Sequence, residues 1–420
     1  MASGYDVVIV GGGAAGIAAA RTLASSGLSA VLLEAGPRLG GRARSETYGG
    51  RALDLGCGWL HSGERNAWTS IAEEAGFAID RRTPAWGQQF HDLGFLPADQ
   101  RAARAAFEAW IERMEASPPP SDHASDSLLP NCAWNGHIAA MTGFISGVGP
   151  ERISVADYLA YDAAASECNW RLPDGYGTLV TRSLPERFAA FLSTPVERVA
   201  LTADGVTLTT AAGDISARAV ILTVSTAVLA GETIALPSAL DPWREAAASL
   251  PLGRNEKLFL AISGKGPFED ETQVLGRPGD PTSGSHYIRP LGWPVIESFL
   301  GGDGARVAET EGADAAFAQA IDDLVALFGS DVRRMLRPLA ASAWSADVRI
   351  GGAYSCALPG HAAARGLLAR SYDERIFSAG EATNPTDFST AHGAHDSGVR
   401  AAREAIGALG CGVRRPLTSP

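Results

Sequence analysis

At 420 residues and 46% apolar content the chain is long enough for two domains, because single cores stop growing at roughly 250–300 residues. Its formal charge of −12 argues against a nucleic-acid partner and suits a cationic ligand. No run nears the ~20 apolar residues of a membrane helix, and no basic leader precedes Tyr5, so a soluble, cytoplasmic protein is expected.

Tyr5 to Val10 is apolar and β-branched, Gly11 to Gly16 break the chain, and Ala18 to Ser26 reads as a helix stopped by Gly27. A second buried strand, Ala30 to Glu34, completes a β-α-β unit, which implies a parallel sheet and an α/β fold. From about Asn66 to Tyr161 the pattern is helical, clearest at Arg101 to Met114, with a proline linker at Pro118 to Pro120. Val196 to Val224 reads as short strands turning at Asp204-Gly205 and Gly213-Asp214, a β-meander rather than another crossover. Beyond Leu250 strands and helices mix, with a helix over Ala313 to Phe328. Arg375 to Ala379 is then a buried strand, Gly380 to Phe388 a loop and Thr390 to Leu409 a closing helix. The five cysteines, Cys57, Cys132, Cys168, Cys356 and Cys411, are scattered without a CxxC pair, which suggests neither a disulfide framework nor a zinc site.

Gly11, Gly13 and Gly16 form G-x-G-x-x-G between strand and helix, and Glu34 ends the next strand where an acid meets ribose hydroxyls. The first glycine permits the turn, the second lets backbone approach a pyrophosphate, and the third lets helix and strand pack. The helix N-terminus then faces the negative charge. Pro37-Arg38-Leu39-Gly40-Gly41-Arg42 adds a second glycine turn between two arginines.

That segment resembles the one which flavoprotein oxidases of the amine oxidase superfamily, the monoamine and polyamine oxidases and lysine demethylases, place along the FAD pyrophosphate. Further blocks recur in order. Asp54 to His61 resembles the stretch that brings backbone close to the flavin, with a Trp-Leu-His ending nearest to polyamine oxidases. Thr194-Pro195-Val196 is similar to the meander start whose valine meets the adenine, and Phe377 to Glu381 and Thr390 to Ala394 are similar to the C-terminal FAD blocks. The resemblance implies FAD contacts at Gly11, Gly13, Ala15, Gly16, Glu34, Ala35, Arg38, Gly41, Arg42, Gly56, Gly58, Trp59, Val196, Trp344, Gly380, Glu381 and Ala391. It also implies an FAD-binding domain with a β-meander, built from residues 1–75, 185–250 and 368–420, and a mixed sheet-and-helix substrate domain from 76–184 and 251–367.

Catalytic roles are implied for Lys257, Tyr354, Trp344, Thr390 and His61. Lys257 is one of only two lysines, and the family's matching lysine holds a water at flavin N5; burial is expected to lower its pKa, and by its residues alone it could equally snorkel or pair with Glu256. Tyr354 and Trp344 resemble the first wall of an aromatic cage and a flavin-flanking tryptophan, although either could be plain core. Two departures stand out: Ala353 replaces the cysteine that links flavin in monoamine oxidases, so FAD is expected to be non-covalent, and Thr390 replaces a second cage tyrosine. His392, His395 and Asp396 do not make a metal site by spacing. The implied reaction is oxidation of a small-molecule amine, with oxygen or another acceptor taking the electrons and oxygen yielding hydrogen peroxide. The rivals are an L-amino-acid oxidase, for which Arg152, Arg171 and Arg289 are candidate carboxylate clamps, a carotenoid or porphyrin desaturase relative, and a flavin-binding protein without turnover.

Overall fold

A computed structural model describes residues 4–410, so Cys411 lies outside the described residues. Among the described residues there are fourteen strands: β1 Gly4–Val10, β2 Ala30–Leu33, β3 Ser45–Tyr48, β4 Arg51–Asp54, β5 Ala189–Phe191, β6 Val196–Leu201, β7 Val206–Thr210, β8 Gly213–Leu222, β9 Asn255–Ile262, β10 Thr272–Leu275, β11 Ser285–Ile288, β12 Val295–Gly301, β13 Leu336–Ala341 and β14 Ile376–Ser378. Among the described residues no helix is long and apolar enough to cross a membrane.

The first sheet runs β5-β2-β1-β8-β7-β6, with β14 also on β8. Its strands β5, β2, β1, β8 and β14 are parallel, while β6, β7 and β8 form the antiparallel meander. The meander was expected, but its last strand does more than close it. The first half of β8 pairs with β7, its second half pairs with β14, and the same strand lies beside β1. The second turn also sits earlier than Gly213-Asp214, since β8 already begins at Gly213.

The first helix is Ala14–Leu23, not Ala18 to Ser26. It starts directly after Gly13 because Gly16 is a helical residue rather than a breaker: a Cβ there would lie 1.9 Å from the Gly11 carbonyl oxygen. The closing helix, Ala391–Gly410, packs across this first one at Gly398, where a Cβ would come within 2.1 Å of the Ala15 oxygen. Ala394, Ala401, Ala402 and Ala405 bury the rest of that face against Ala15, Ala19 and Leu23. The helical stretch after Asn66 resolves into helices Ala67–Glu74, Pro97–Ala116, Asn135–Ser146 and Val155–Ala164.

The second sheet, β10-β11-β12-β9-β13, is antiparallel throughout. Strand alternation gives it two different faces. Leu258, Leu260, Ile296 and Leu300 form a core with Phe317, Ala320 and Leu324 of the helix Ala313–Phe328. Lys257, Phe259, Glu297 and Phe299, one residue out of phase, share the opposite face. Phe259 there packs on Leu53 and Leu55. The chain leaving β4 is thereby laid along the polar face of the second sheet, and this positions the candidate site.

Replacing Gly16 by Ala is expected to destabilise the protein by about 1–3 kcal/mol through overpacking and to weaken retention of a bound dinucleotide. Gly279→Ala, whose methyl would meet nothing within 4 Å, should leave the melting temperature unchanged. Thermal melts of the two variants side by side check both statements.

Candidate active site

Gly11, at φ 108°, turns the chain out of β1, and Gly13 precedes the first helix with no side chain capping its first-turn amides. An uncapped N-terminus with a bare glycine in front of it attracts anions and gives close access to backbone N–H groups. Glu34 receives the Gly12 amide at 2.7 Å and the Gly36 amide at 2.6 Å. The second glycine turn lies across the first, with Gly40 N donating to Gly12 O at 2.8 Å. A Cβ at Gly41 would sit 3.3 Å from Gly13 Cα. Arg38 holds this turn, donating to Leu39 O and Gly41 O, so part of its expected role is structural. Ala15 is buried under the turn and Ala35 is exposed beside it. Thr194 N donates to Glu34 O at 2.8 Å, which brings the start of β6 to the same place; the side chain of Val196 points into the core with Val8 and Leu33.

Arg42 reaches Glu381 Oε1 at 3.0 Å and the Ala353 carbonyl. Glu381 also accepts from Ser355 N (3.1 Å), Ser355 Oγ (2.6 Å) and Ser389 N (2.9 Å). Burial alone would raise its pKa, but Arg42 and Arg365 together with these donors bring it below the ordinary value. Gly380, at φ 142°, is hydrogen-bonded to Ser397 Oγ and leads into this carboxylate.

The block after β4 meets the second sheet through its glycines. A Cβ at Gly56 would be 1.7 Å from Arg42 O and 3.2 Å from the Trp344 ring, and one at Gly58 would be 2.9 Å from Lys257 Nζ. Trp344 is clamped at both ends: Nε1 donates to Leu55 O at 3.2 Å and its backbone N to Glu256 Oε1 at 2.8 Å. Glu256 therefore faces away from Lys257 and orders Trp344. Lys257 donates to Asp54 O at 3.1 Å and pairs with Glu297 Oε1 at 2.8 Å. Its pKa does not fall as expected: burial pushes it down, yet Glu297 and Asp54 outweigh burial and raise it.

Tyr354 is half-buried and donates its hydroxyl to Phe144 O, and Phe144 packs on Phe299, which stands opposite Lys257. Burial raises the Tyr354 pKa well above the ordinary value, so it stays a phenol. Thr390 departs from the cage role. Its hydroxyl donates to Asp387 O (2.6 Å) and accepts from Gly393 N (2.9 Å), capping the helix Ala391–Gly410, so only its remaining surface lines a crevice with His61, Ser62, Tyr161, Asn169, Asp387 and His392. Ala391 closes the same end, accepting from Trp68 Nε1. His61 Nδ1 lies 2.6 Å from Asn169 Oδ1, an acceptor, which places the ring proton on Nδ1 and leaves Nε2 as an acceptor.

An aromatic group escaped the sequence reading. Trp59 lies 4.4 Å from Trp86 and 5.9 Å from Tyr287, ring centre to ring centre, with Arg171 over both Trp59 and Tyr287. Alternation along β11 puts Tyr287 on the same sheet face as Glu297, a signal that was available. Trp86 comes from an irregular segment and carried none. Two of the three candidate carboxylate clamps are already engaged: Arg171 binds Asp80 (2.8 Å) and Glu271 (2.7 Å), and Arg289 binds Asp270. The third, Arg152, is exposed. His392 bonds Asp387 at 3.1 Å whereas His395 packs on Trp68, so the two histidines do not converge.

Burial pushes the His61 pKa down to about 4. The unfolded chain, near the ordinary value of about 6.5, therefore binds more protons than the folded one between these limits, and stability falls as pH drops through that window. His61→Gln should flatten this part of a melting-temperature against pH curve.

Residues 159–406 match the family of flavin containing amine oxidoreductases, and residues 9–75 an NAD(P)-binding Rossmann-like domain. The chain is 26% identical over 450 residues to polyamine oxidase 4 of Oryza sativa subsp. japonica, covering 96% of this chain and 89% of that one. It is 29% identical over 296 residues to pseudooxynicotine dehydrogenase of a Pseudomonas species, covering 61% of this chain and 59% of that one. Its fold matches that of wild-type putrescine oxidase bound to putrescine with a TM-score of 0.75 and 19% identity, over 96% of this chain and 99% of the other. With more than half of its length inside the family match and a glycine turn, Glu34 and an open helix end suited to a dinucleotide, this chain belongs to the flavin-containing amine oxidoreductases and takes FAD as its cofactor.

Proposed function

We propose that the chain oxidises a small-molecule amine, in its neutral form, by removal of a hydride from the carbon next to nitrogen, and that the resulting imine is hydrolysed to an aldehyde or ketone and a smaller amine. The observation that carries this reading is the buried Lys257 ammonium packed against Gly58, in the block that also brings Gly56 against Trp344. FAD, when bound, supplies the hydride acceptor at N5, and oxygen restores it with release of hydrogen peroxide.

The remaining roles fall to the chain. Gly11, Gly13, Gly16, Glu34, Gly41 and Arg42 hold the dinucleotide end, with Gly56, Gly58, Trp59, Trp344, Gly380, Glu381 and Ala391 around the flavin. Residues 1–75, 185–250 and 368–420 form the cofactor domain in this reading, and 76–184 with 251–367 the substrate domain. Lys257 keeps its proton and donates to a water. Tyr354, with Phe144 and Phe299 behind it, walls the substrate side. His61, neutral above its lowered pKa, offers Nε2 to an amine N–H in a crevice that also contains Asp387. An amino-acid oxidase would need an uncommitted arginine to clamp a carboxylate, and Arg171 and Arg289 are already paired. The names of the relatives, polyamine oxidase among them, support an amine of this general kind.

Anaerobic bleaching of the flavin absorbance by polyamines, aryl-alkyl amines, N-methylated amines and L-amino acids tests this reading. Bleaching by one amine class is expected, and bleaching by amino acids alone would overturn it. Lys257→Met should slow flavin reduction or reoxidation by orders of magnitude while FAD stays bound; equal rates in both half-reactions would remove Lys257 from the mechanism. Because Ala353 has no thiol to link flavin, acid precipitation should leave all yellow colour in the supernatant.

A further inference from the structure

Lys257 and Glu297 form a matched pair across two strands. Lys257 stands opposite Phe299 and Glu297 opposite Phe259 in the β9–β12 register, so both charged side chains leave the same sheet face one diagonal step apart. Their contact is 2.8 Å, with side chains 10% and 20% exposed. The other ionisable groups around the ammonium are otherwise engaged or neutral. The Asp54 carboxylate accepts from Ser45 Oγ and from the amides of Tyr176 (3.0 Å) and Gly177 (3.3 Å), and it offers Lys257 its backbone carbonyl. Burial pushes the Cys57 thiol up to about 12 and His61 down to about 4, so both are uncharged near neutrality. The Glu256 carboxylate leaves the opposite sheet face and is engaged by Ser342 Oγ and the Trp344 amide. Among the described residues Glu297 is the one carboxylate that forms an ion pair with Lys257.

We propose that Glu297 is a positioning residue for the reaction, holding Lys257 as a permanent ammonium against Gly58, so that Lys257 acts as a hydrogen-bond donor to water and not as a proton acceptor. This rests on the reading above that places Lys257 at the flavin. A buried lysine without a counter-ion sheds its proton toward neutral pH, because low dielectric penalises the charged form. The sheet register supplies the counter-ion at a fixed place, and the backbone oxygen of Asp54 fixes the direction of a second N–H. One further N–H remains for a water.

The chain's two lysines make this directly measurable, since lysine carrying 13C at the ε carbon gives only two signals, from Lys257 and the exposed Lys265. In the FAD-loaded protein, with Lys257→Met as the assignment, the Lys257 signal is expected to hold its charged shift beyond the midpoint of Lys265. In Glu297→Gln the midpoint should fall by roughly 1–3 pH units, and Glu297→Asp should restore most of it. The half-reaction that depends on Lys257 should then lose about tenfold in rate for each pH unit above the new midpoint in Glu297→Gln, with FAD retention and melting behaviour confirming a folded protein. A Lys257 midpoint unmoved by Glu297→Gln, or one below that of Lys265 in the unaltered protein, overturns the proposal. If the midpoint moves but Lys257→Met changes neither half-reaction, the ion pair stands as architecture, and both its part in the reaction and the placement of Lys257 fall.

Discussion

A buried chain of charges ties together the segments that build the site. Asp157, on the helix Val155–Ala164, grips Arg365 through two bonds of 2.6 and 2.8 Å. Arg365 donates to Ser355 Oγ at 2.9 Å, Ser355 donates to Glu381 at 2.6 Å, and Glu381 pairs with Arg42 at 3.0 Å. Asp157, Arg365, Ser355 and Glu381 are each at most 5% exposed. Breaking such a pair from one side leaves an unpaired buried charge at a cost of roughly 3–5 kcal/mol, so the network tolerates little displacement. Arg42 belongs to the second glycine turn, Ser355 follows Tyr354, and Glu381 binds Ser389 just before the closing helix. Four stretches far apart in sequence thus arrive at one place with fixed orientations.

The second sheet complements this lock by separating its two faces. The face toward the helix Ala313–Phe328 is apolar and anchors the sheet. The other face presents Lys257, Glu297 and Tyr287 to the block after β4, and the absence of side chains at Gly56 and Gly58 lets that backbone come close. A single register between β9 and β12 consequently decides which residue faces the ammonium. A slip of one residue would carry Lys257 into the leucine core.

Charge state illustrates how context reverses an intrinsic tendency. Burial by itself lowers a lysine pKa and raises a carboxylate's, and it was expected to do so at Lys257. Glu297 and Asp54 reverse the sign there and Arg42 and Arg365 reverse it at Glu381, whereas burial prevails at His61, whose main partner is the neutral Asn169, and at Cys57. Thr390 shows the same dependence on surroundings: its hydroxyl has become the cap of a helix, because the helix end needed an acceptor and Thr390 stood at its start.

Features carried by local physics were legible in the amino-acid sequence alone. The glycine pattern after β1, the acid just after β2, the alternation of the meander strands and the helix Ala313–Phe328 each follow from backbone freedom or periodicity within a short window, and they suffice for the α/β fold and the dinucleotide turn. The start of the first helix, at Ala14, is hidden in the sequence because Gly16 has the character of a breaker, and only its packing against Gly11 makes it helical. Tertiary structure alone decided the partners. Glu297 lies 40 positions from Lys257, Arg365 lies 208 from Asp157, and Trp86 reaches Trp59 from an irregular segment. No periodicity within one segment encodes such pairings; they are set by how two sheets and two crossing helices pack, and with them the charge on Lys257.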